Sequence, residues 1–158
     1  MRRIVLKKGD IFECKYGSKK RYFQYIVTDR TCLDGDVIRC FETEYEIGET
    51  PELQKIVTDN ILIWLQTSIY AGRHFNLWER VGNIPSSDVE LPFFRATNDA
   101  GAEVEISDKW HIWKPNEEKK LIGFLPKQMR LYPKAGVIHP LSVPEILQSG
   151  INDFKVPN

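Results

Sequence analysis

The stretch KKGDIFECKYGSKKRYFQYIVTD, residues 7–29, decides the fold class. After the Lys-Lys-Gly-Asp turn, Phe12, Cys14 and Tyr16 alternate with Ile11, Glu13 and Lys15, the period of two of a half-buried strand. Gly17-Ser18-Lys19-Lys20 supplies a turn, and Tyr22 to Thr28 is dense in aromatic and β-branched side chains, which pack well on a pleated sheet. The pattern predicts a hairpin. Asp34-Gly35-Asp36 is a second turn signal, and Val37 to Tyr45 alternates again, with Val37, Arg39, Phe41, Thr43 and Tyr45 on one face. Short strands joined by tight turns predict an antiparallel meander, the opening of a curled antiparallel sheet or a small SH3-like barrel.

Outward from this hairpin, Thr50-Pro51-Glu52 reads as a helix start, with Thr50 as cap and Pro51 at the first helical position, continuing through Ile56. Ile61 to Leu65 is an uninterrupted apolar run that predicts a buried strand. Tyr70 to Phe94 has no sustained period and reads as an ordered loop with an aromatic anchor. Asn98 to Gly101 predicts a turn, Glu103 to Ile106 a short strand, and Lys109 to Lys114 and Leu121 to Leu125 a hairpin. Ser142-Val143-Pro144-Glu145 has capping-box spacing, and Gly150 marks the end of the helix it would start. The expected whole is one mainly β (α+β) domain over residues 1–158 with two or three short helices.

A chain of 158 residues that is 42% apolar can bury a core without staples. The amino terminus MRRIVLKKGD lacks the apolar middle of a signal peptide, and the run Ile61 to Leu65 is far below the roughly 20 residues that cross a bilayer. No membrane contact and a cytoplasmic location are therefore expected. Three cysteines, Cys14, Cys32 and Cys40, suit a reducing compartment without a disulfide. The net charge of zero conceals blocks: residues 1–30 hold nine Lys/Arg against three Asp/Glu, and residues 34–52 hold seven Asp/Glu against Arg39 alone. A second acidic stretch spans residues 88–105 and a second basic one residues 109–134. Such blocks either fold together and neutralise or leave a dipolar surface for a charged partner.

The spacings that carry chemistry are weak. The cysteines and His74, His111 and His139 lie at none of the intervals that aim two ligands at one metal ion, and there is no nucleophile signature or glycine-rich phosphate loop. Glu42/Glu44/Glu46, Glu103/Glu105 and Glu117/Glu118 read as solvated faces and turns rather than acid–base pairs. A non-enzymatic, cofactor-free and metal-free protein is expected. The densest stretch, KWHIWKPNEE at residues 109–118, is no exception. On a strand, Trp110 and Ile112 share one face and His111 and Trp113 the other, so the tryptophans cannot sandwich one ligand. Nine basic residues interleaved with Tyr16, Tyr22, Phe23 and Tyr25 leave an alternative, a small-barrel nucleic-acid-binding module that stacks bases on those rings.

Two stretches resemble a known family. KKGDIFECKYGSKKRYFQYIVTD is similar to the opening of the bacterial immunity protein 26 family, with its Gly-Asp-Ile-Phe strand, glycine turn and aromatic strand ending in Val-x-Asp. KWHIWKPNEEKKLIGFLPKQMRLYPKAGVIHPLSVPEILQSGI resembles that family's close, with a tryptophan strand, an Ile-Gly-x-Leu segment and a proline-containing helix ending at glycine. The resemblance implies a small cytosolic protein that neutralises a polymorphic or contact-dependent toxin by binding it, without catalytic residues. Under that reading the acids Glu42, Glu44, Glu46, Glu49 and Glu52 are placed to enter the basic cleft of a cognate toxin domain such as a nuclease. Tyr45, Phe75 or Trp78 would be the aromatic anchors.

Overall fold

The computed structural model describes residues 5–158; Arg2 and Arg3 of the amino-terminal basic block lie outside the described residues. Among the described residues the chain is mainly β, with three short α-helices. Its strands are β1 (Asp10–Tyr16), β2 (Lys19–Asp29), β3 (Gly35–Phe41), β4 (Tyr45–Glu46), β5 (Ile61–Thr67), β6 (Trp78–Asn83), β7 (Phe94–Thr97), β8 (Trp110–Trp113), β9 (Lys120–Gly123) and β10 (Val137–Ile138). The helices are α1 (Leu53–Val57), α2 (Ile69–His74) and α3 (Val143–Ser149), with 3-10 turns at Lys127–Leu131 and Pro140–Ser142.

The larger sheet runs β10-β5-β3-β2-β1-β6, with β4 paired to the outer end of β2, and the smaller runs β7-β8-β9. The named strands pair antiparallel except β10 with β5. The meander foreseen from residues 7–45 is the centre of the larger sheet, which stays open rather than closing into a barrel.

Both faces of the larger sheet are covered. On one, Phe12, Cys14, Phe23, Ile38, Cys40 and Leu65 pack beneath Ile69 of α2 and Val143, Ile146 and Leu147 of α3, with Trp78 among them. The opposite face carries two separate clusters. Ile11, Tyr22, Phe41 and Tyr45 meet Ile56 of α1, whereas Val37 meets Phe94 and Trp113 of the smaller sheet. Residues Tyr22 to Ile26 are therefore buried in succession rather than alternately. Each large apolar side chain buried here contributes about 1.5–3 kcal/mol. The packing is close enough to dictate a glycine: a Cβ on Gly72 would lie 1.8 Å from the Trp78 ring, whose Nε1 donates to the Ile69 carbonyl at 3.2 Å.

The sheets are joined through a buried carboxylate. Asp29, the last residue of β2, is fully buried. Its Oδ1 accepts from the backbone N–H groups of Thr31 and Asn116, both at 2.9 Å, and its Oδ2 from Gln66 Nε2 and Trp113 Nε1, both at 3.0 Å. Asn116 completes the joint in the left-handed region, at φ +67°. Its side chain accepts from the Arg30 N–H and donates to the Thr28 carbonyl, each at 2.9 Å. Asparagine tolerates that conformation better than most residues. The turn of KWHIWKPNEE is thus held on the end of β2, and Trp113 faces the larger sheet.

Several local expectations are corrected. Residues 70–94 are not one loop: Ser68 Oγ caps α2 by accepting from Ala71 N–H at 3.2 Å, and β6 then extends the sheet beyond β1. The strand escaped the periodicity test because it is an edge, with Glu79, Arg80 and Val81 exposed in succession. Helix α1 starts at Leu53 behind Glu52, not at Thr50-Pro51, and without a side-chain cap. The alternation of Val37 to Tyr45 is broken, because β3 ends at Phe41 and only Tyr45–Glu46 pairs again, with β2. Residues 103–106 form no strand. Ser142 makes no cap bond, because it already has helical angles (φ −86°, ψ −16°) as the end of the preceding 3-10 turn. Gly150 does end α3, at φ +74°.

Asp29→Asn preserves shape but turns one acceptor into a donor facing two donors. Each orphaned buried donor costs about 1–3 kcal/mol, so the variant should lose roughly 2–5 kcal/mol of unfolding free energy in urea titration. A loss below about 1 kcal/mol would show that the joint is not a stability determinant.

Candidate partner-binding surface

Residues 42–52 cross from β3 to α1 with only β4 as regular structure, and Glu42, Glu44, Glu46, Glu49 and Glu52 are all exposed. What holds this segment is a pair of cations from β2. Lys20 is in phase with Tyr22 and Gln24 on the inward face and is only 3% exposed. Its Nζ donates to the Ile47 carbonyl at 2.9 Å, to the Glu49 carbonyl, and to Glu13 Oε2 at 2.9 Å. Arg21 Nε donates to the Glu42 carbonyl at 3.0 Å, and its Nη1 to the Leu147 carbonyl of α3. Thr43 N–H is fixed by Asp59 Oδ2 at 2.7 Å.

These cations mostly grip backbone oxygens, so the neighbouring acids are only partly neutralised. Glu46 pairs with Lys19 and is matched to it across β2 and β4. Glu44 accepts from the Tyr16 hydroxyl at 2.9 Å and lies 3.9 Å from Arg21. Glu42, Glu49 and Glu52 make no ion pair among the described residues. The amino-terminal basic block and the first acidic block do fold together, and a residual acidic ridge with the half-exposed Ile47 remains on the outside.

The electrostatics follow from burial. Burial alone would raise the Glu13 carboxyl, but hydrogen bonds from Lys20 and Tyr22 and the charges of Lys20 and Lys15 outweigh it and hold the group below its ordinary value of 4.5. Burial, with the Glu13 carboxylate as hydrogen-bond acceptor, pushes the Tyr22 hydroxyl up. Burial, with Glu44 beside it, does the same for Tyr16. The thiol of Cys14 is pushed by burial up to about 12, and that of Cys40 well above its ordinary value, so both stay neutral thiols in the core.

The predicted partner-contacting residues are not one cluster. Glu42, Glu44, Glu46 and Glu49 lie together on the ridge. Tyr45 and Trp78 are corrected to core residues, 5% and 3% exposed. Tyr45 meets Tyr22 edge to face at 5.6 Å, and Trp78 meets Phe23 at 5.2 Å. Phe75 is 47% exposed, as expected of an anchor, but it sits at the end of α2, stacked on His139 at 6.2 Å. Tyr16, Tyr22, Phe23 and Tyr25, the rings proposed to stack on bases, are all buried and offer no stacking platform. Sequence reasoning missed Lys20, Arg21 and Ile47. A lysine in phase with the apolar face of a strand was the available signal for Lys20.

Because the folded pKa of Glu13 lies below its unfolded one, its stabilisation is present above about pH 4.5 and is lost as the pH falls through the depressed value. Glu13→Gln leaves Lys20 buried without a carboxylate but with two carbonyl acceptors. We expect a loss at neutral pH toward the lower end of the about 3–5 kcal/mol seen when one partner of a buried pair is removed. Below pH 4.5 the gap to the parent protein should narrow, and thermal melts across pH 3–7 at fixed ionic strength check both outcomes.

No protein-family model, curated protein or solved structure matches the chain.

Proposed function

We propose that the protein is an immunity protein of the cytoplasm, which binds a cognate toxin domain and neutralises it by covering that domain's basic substrate cleft. The observation that carries this reading is the acidic ridge of residues 42–52, whose backbone is fixed from below by Lys20 and Arg21 while Glu42, Glu49 and Glu52 face solvent. A flexible acidic loop would lose conformational entropy on binding, whereas a ridge already held in place avoids much of that cost. Carboxylates on such a ridge steer a basic partner and fix its register. Ile47 takes the place of Tyr45 as the apolar contact within the ridge, and Phe75 is the exposed aromatic on a second patch. The resemblance to the immunity protein 26 family at the two ends of the chain supports the same reading. No described helix is long and apolar enough to cross a membrane.

The test uses Glu42→Lys/Glu49→Lys, which reverses charge at two ridge positions without touching the Lys19–Glu46 or Tyr16–Glu44 contacts. The test partner is any toxin domain encoded beside this gene, and growth of cells expressing it should be rescued by the parent protein. The double variant should bind that domain about tenfold or more weakly at low salt, with the difference shrinking as salt screens the charges. If the parent protein gives no rescue, the proposal fails; if the variant binds equally well, the ridge is not the interface.

A further inference from the structure

On the face of the larger sheet that carries two apolar clusters, one charged side chain lies between them. Arg39 of β3 is flanked by Val37, in contact with the smaller sheet, and by Phe41, in contact with α1. Its partner is not an acid. Nε and Nη2 both donate to Gln24 Oε1, at 2.8 and 2.6 Å, and the guanidinium lies over the Phe41 ring at 5.1 Å. Gln24 is fully buried and cannot turn its amide, because Nε2 is committed to the carbonyls of Gly9 at 3.2 Å and Ile84 at 2.8 Å. The inner edge of the guanidinium is therefore fixed. Nη1 has no protein acceptor among the described residues.

Arg39 lines a groove of about 420 Å³ between α1 and the segment after β6, with Val57, Ile61, Ile84 and Val89 as its apolar walls. Asp88 and Glu90 lie at the same groove, but neither comes within ion-pair range of Arg39, and both are exposed. Burial pushes the Arg39 guanidinium down from its ordinary range, and the distant Asp88 charge opposes this only in part. A half-buried cation hydrogen-bonded to a neutral amide retains unmet attraction for an anion.

We propose that this groove binds a small monocarboxylate with an apolar body. The carboxylate accepts from the outer edge of Arg39, and the apolar body lies against Val57, Ile61, Ile84 and Val89, the division of labour usual in small-molecule sites. Phosphates and dicarboxylates fit less well, since a second negative charge meets Asp88 and Glu90.

Amide chemical-shift titration of the full chain with 4-methylpentanoate at neutral pH, against 4-methylpentanol as uncharged control, tests this. Saturable shifts are expected at Val57, Ile61, Ile84 and Val89, with half-saturation at roughly millimolar ligand for so few heavy atoms. The alcohol should bind at least about tenfold more weakly, as loss of a charge-assisted hydrogen bond requires. Arg39→Gln should abolish saturation. Asp88→Asn, an exposed change that leaves the fold intact, should tighten binding by about two- to fivefold, the size of one screened charge interaction. Absence of saturable shifts, equal binding of the alcohol, or unchanged affinity in Asp88→Asn overturns the proposal.

Discussion

Asp29 ends β2 as a carboxylate with no solvent around it, and a buried anion persists only where donors converge on it. Four do, and they come from Thr31, Gln66, Trp113 and Asn116. Those donors belong to the turn after β2, to β5, to β8 and to the turn after β8, so meeting the needs of one carboxylate fixes the mutual placement of both sheets. The apolar contact of Val37, Phe94 and Trp113 then closes over a joint whose geometry is already set. Apolar surfaces alone can slide over one another; hydrogen bonds to a single buried carboxylate cannot.

The same logic recurs wherever the covered sheet carries a polar residue. Asp10 at the start of β1 is buried and accepts from Lys7 N–H, Arg80 Nε and Asn83 Nδ2 at 2.8–2.9 Å, which ties β6 to the sheet edge. Gln24 links the Gly9 and Ile84 carbonyls to Arg39, and Lys20 links Glu13 to residues 47 and 49. Because α-helices and the smaller sheet cover both faces, the buried Asp10, Lys20, Gln24 and Asp29 cannot fall back on water. Each becomes a positional constraint on a segment that has little regular structure of its own.

This also explains how much could be read from sequence. The meander was legible because its turns are marked by glycine and aspartate and because β1 alternates cleanly, from Phe12 to Tyr16. β5 was legible as a run of apolar residues. β6 was not, because an edge strand protected by Glu79 and Arg80 has no inward periodicity, and such charges are how exposed edges avoid unwanted pairing. The capping box at Ser142 matched in spacing but failed in conformation, since the 3-10 turn before it places serine on helical angles. For the candidate surface, the exposure of Glu42, Glu44, Glu46 and Glu49 followed from composition, whereas the burial of Tyr45 and Trp78 did not. An aromatic side chain serves a core and an interface equally well, and only the covering helix decides between them.

Charge segregation along the chain acquires a structural reason here. A basic hairpin beside an acidic crossing segment would ordinarily be expected to cancel, residue against residue. Instead Lys20 reaches the carbonyls of Ile47 and Glu49 and Arg21 that of Glu42, and of the segment's carboxylates only Glu46 faces a cation directly across the strands, Lys19. A carbonyl gripped by a cation orders the backbone while leaving the neighbouring carboxylate in water. The hairpin's positive charge thus fixes the shape of the ridge without removing the ridge's own charge.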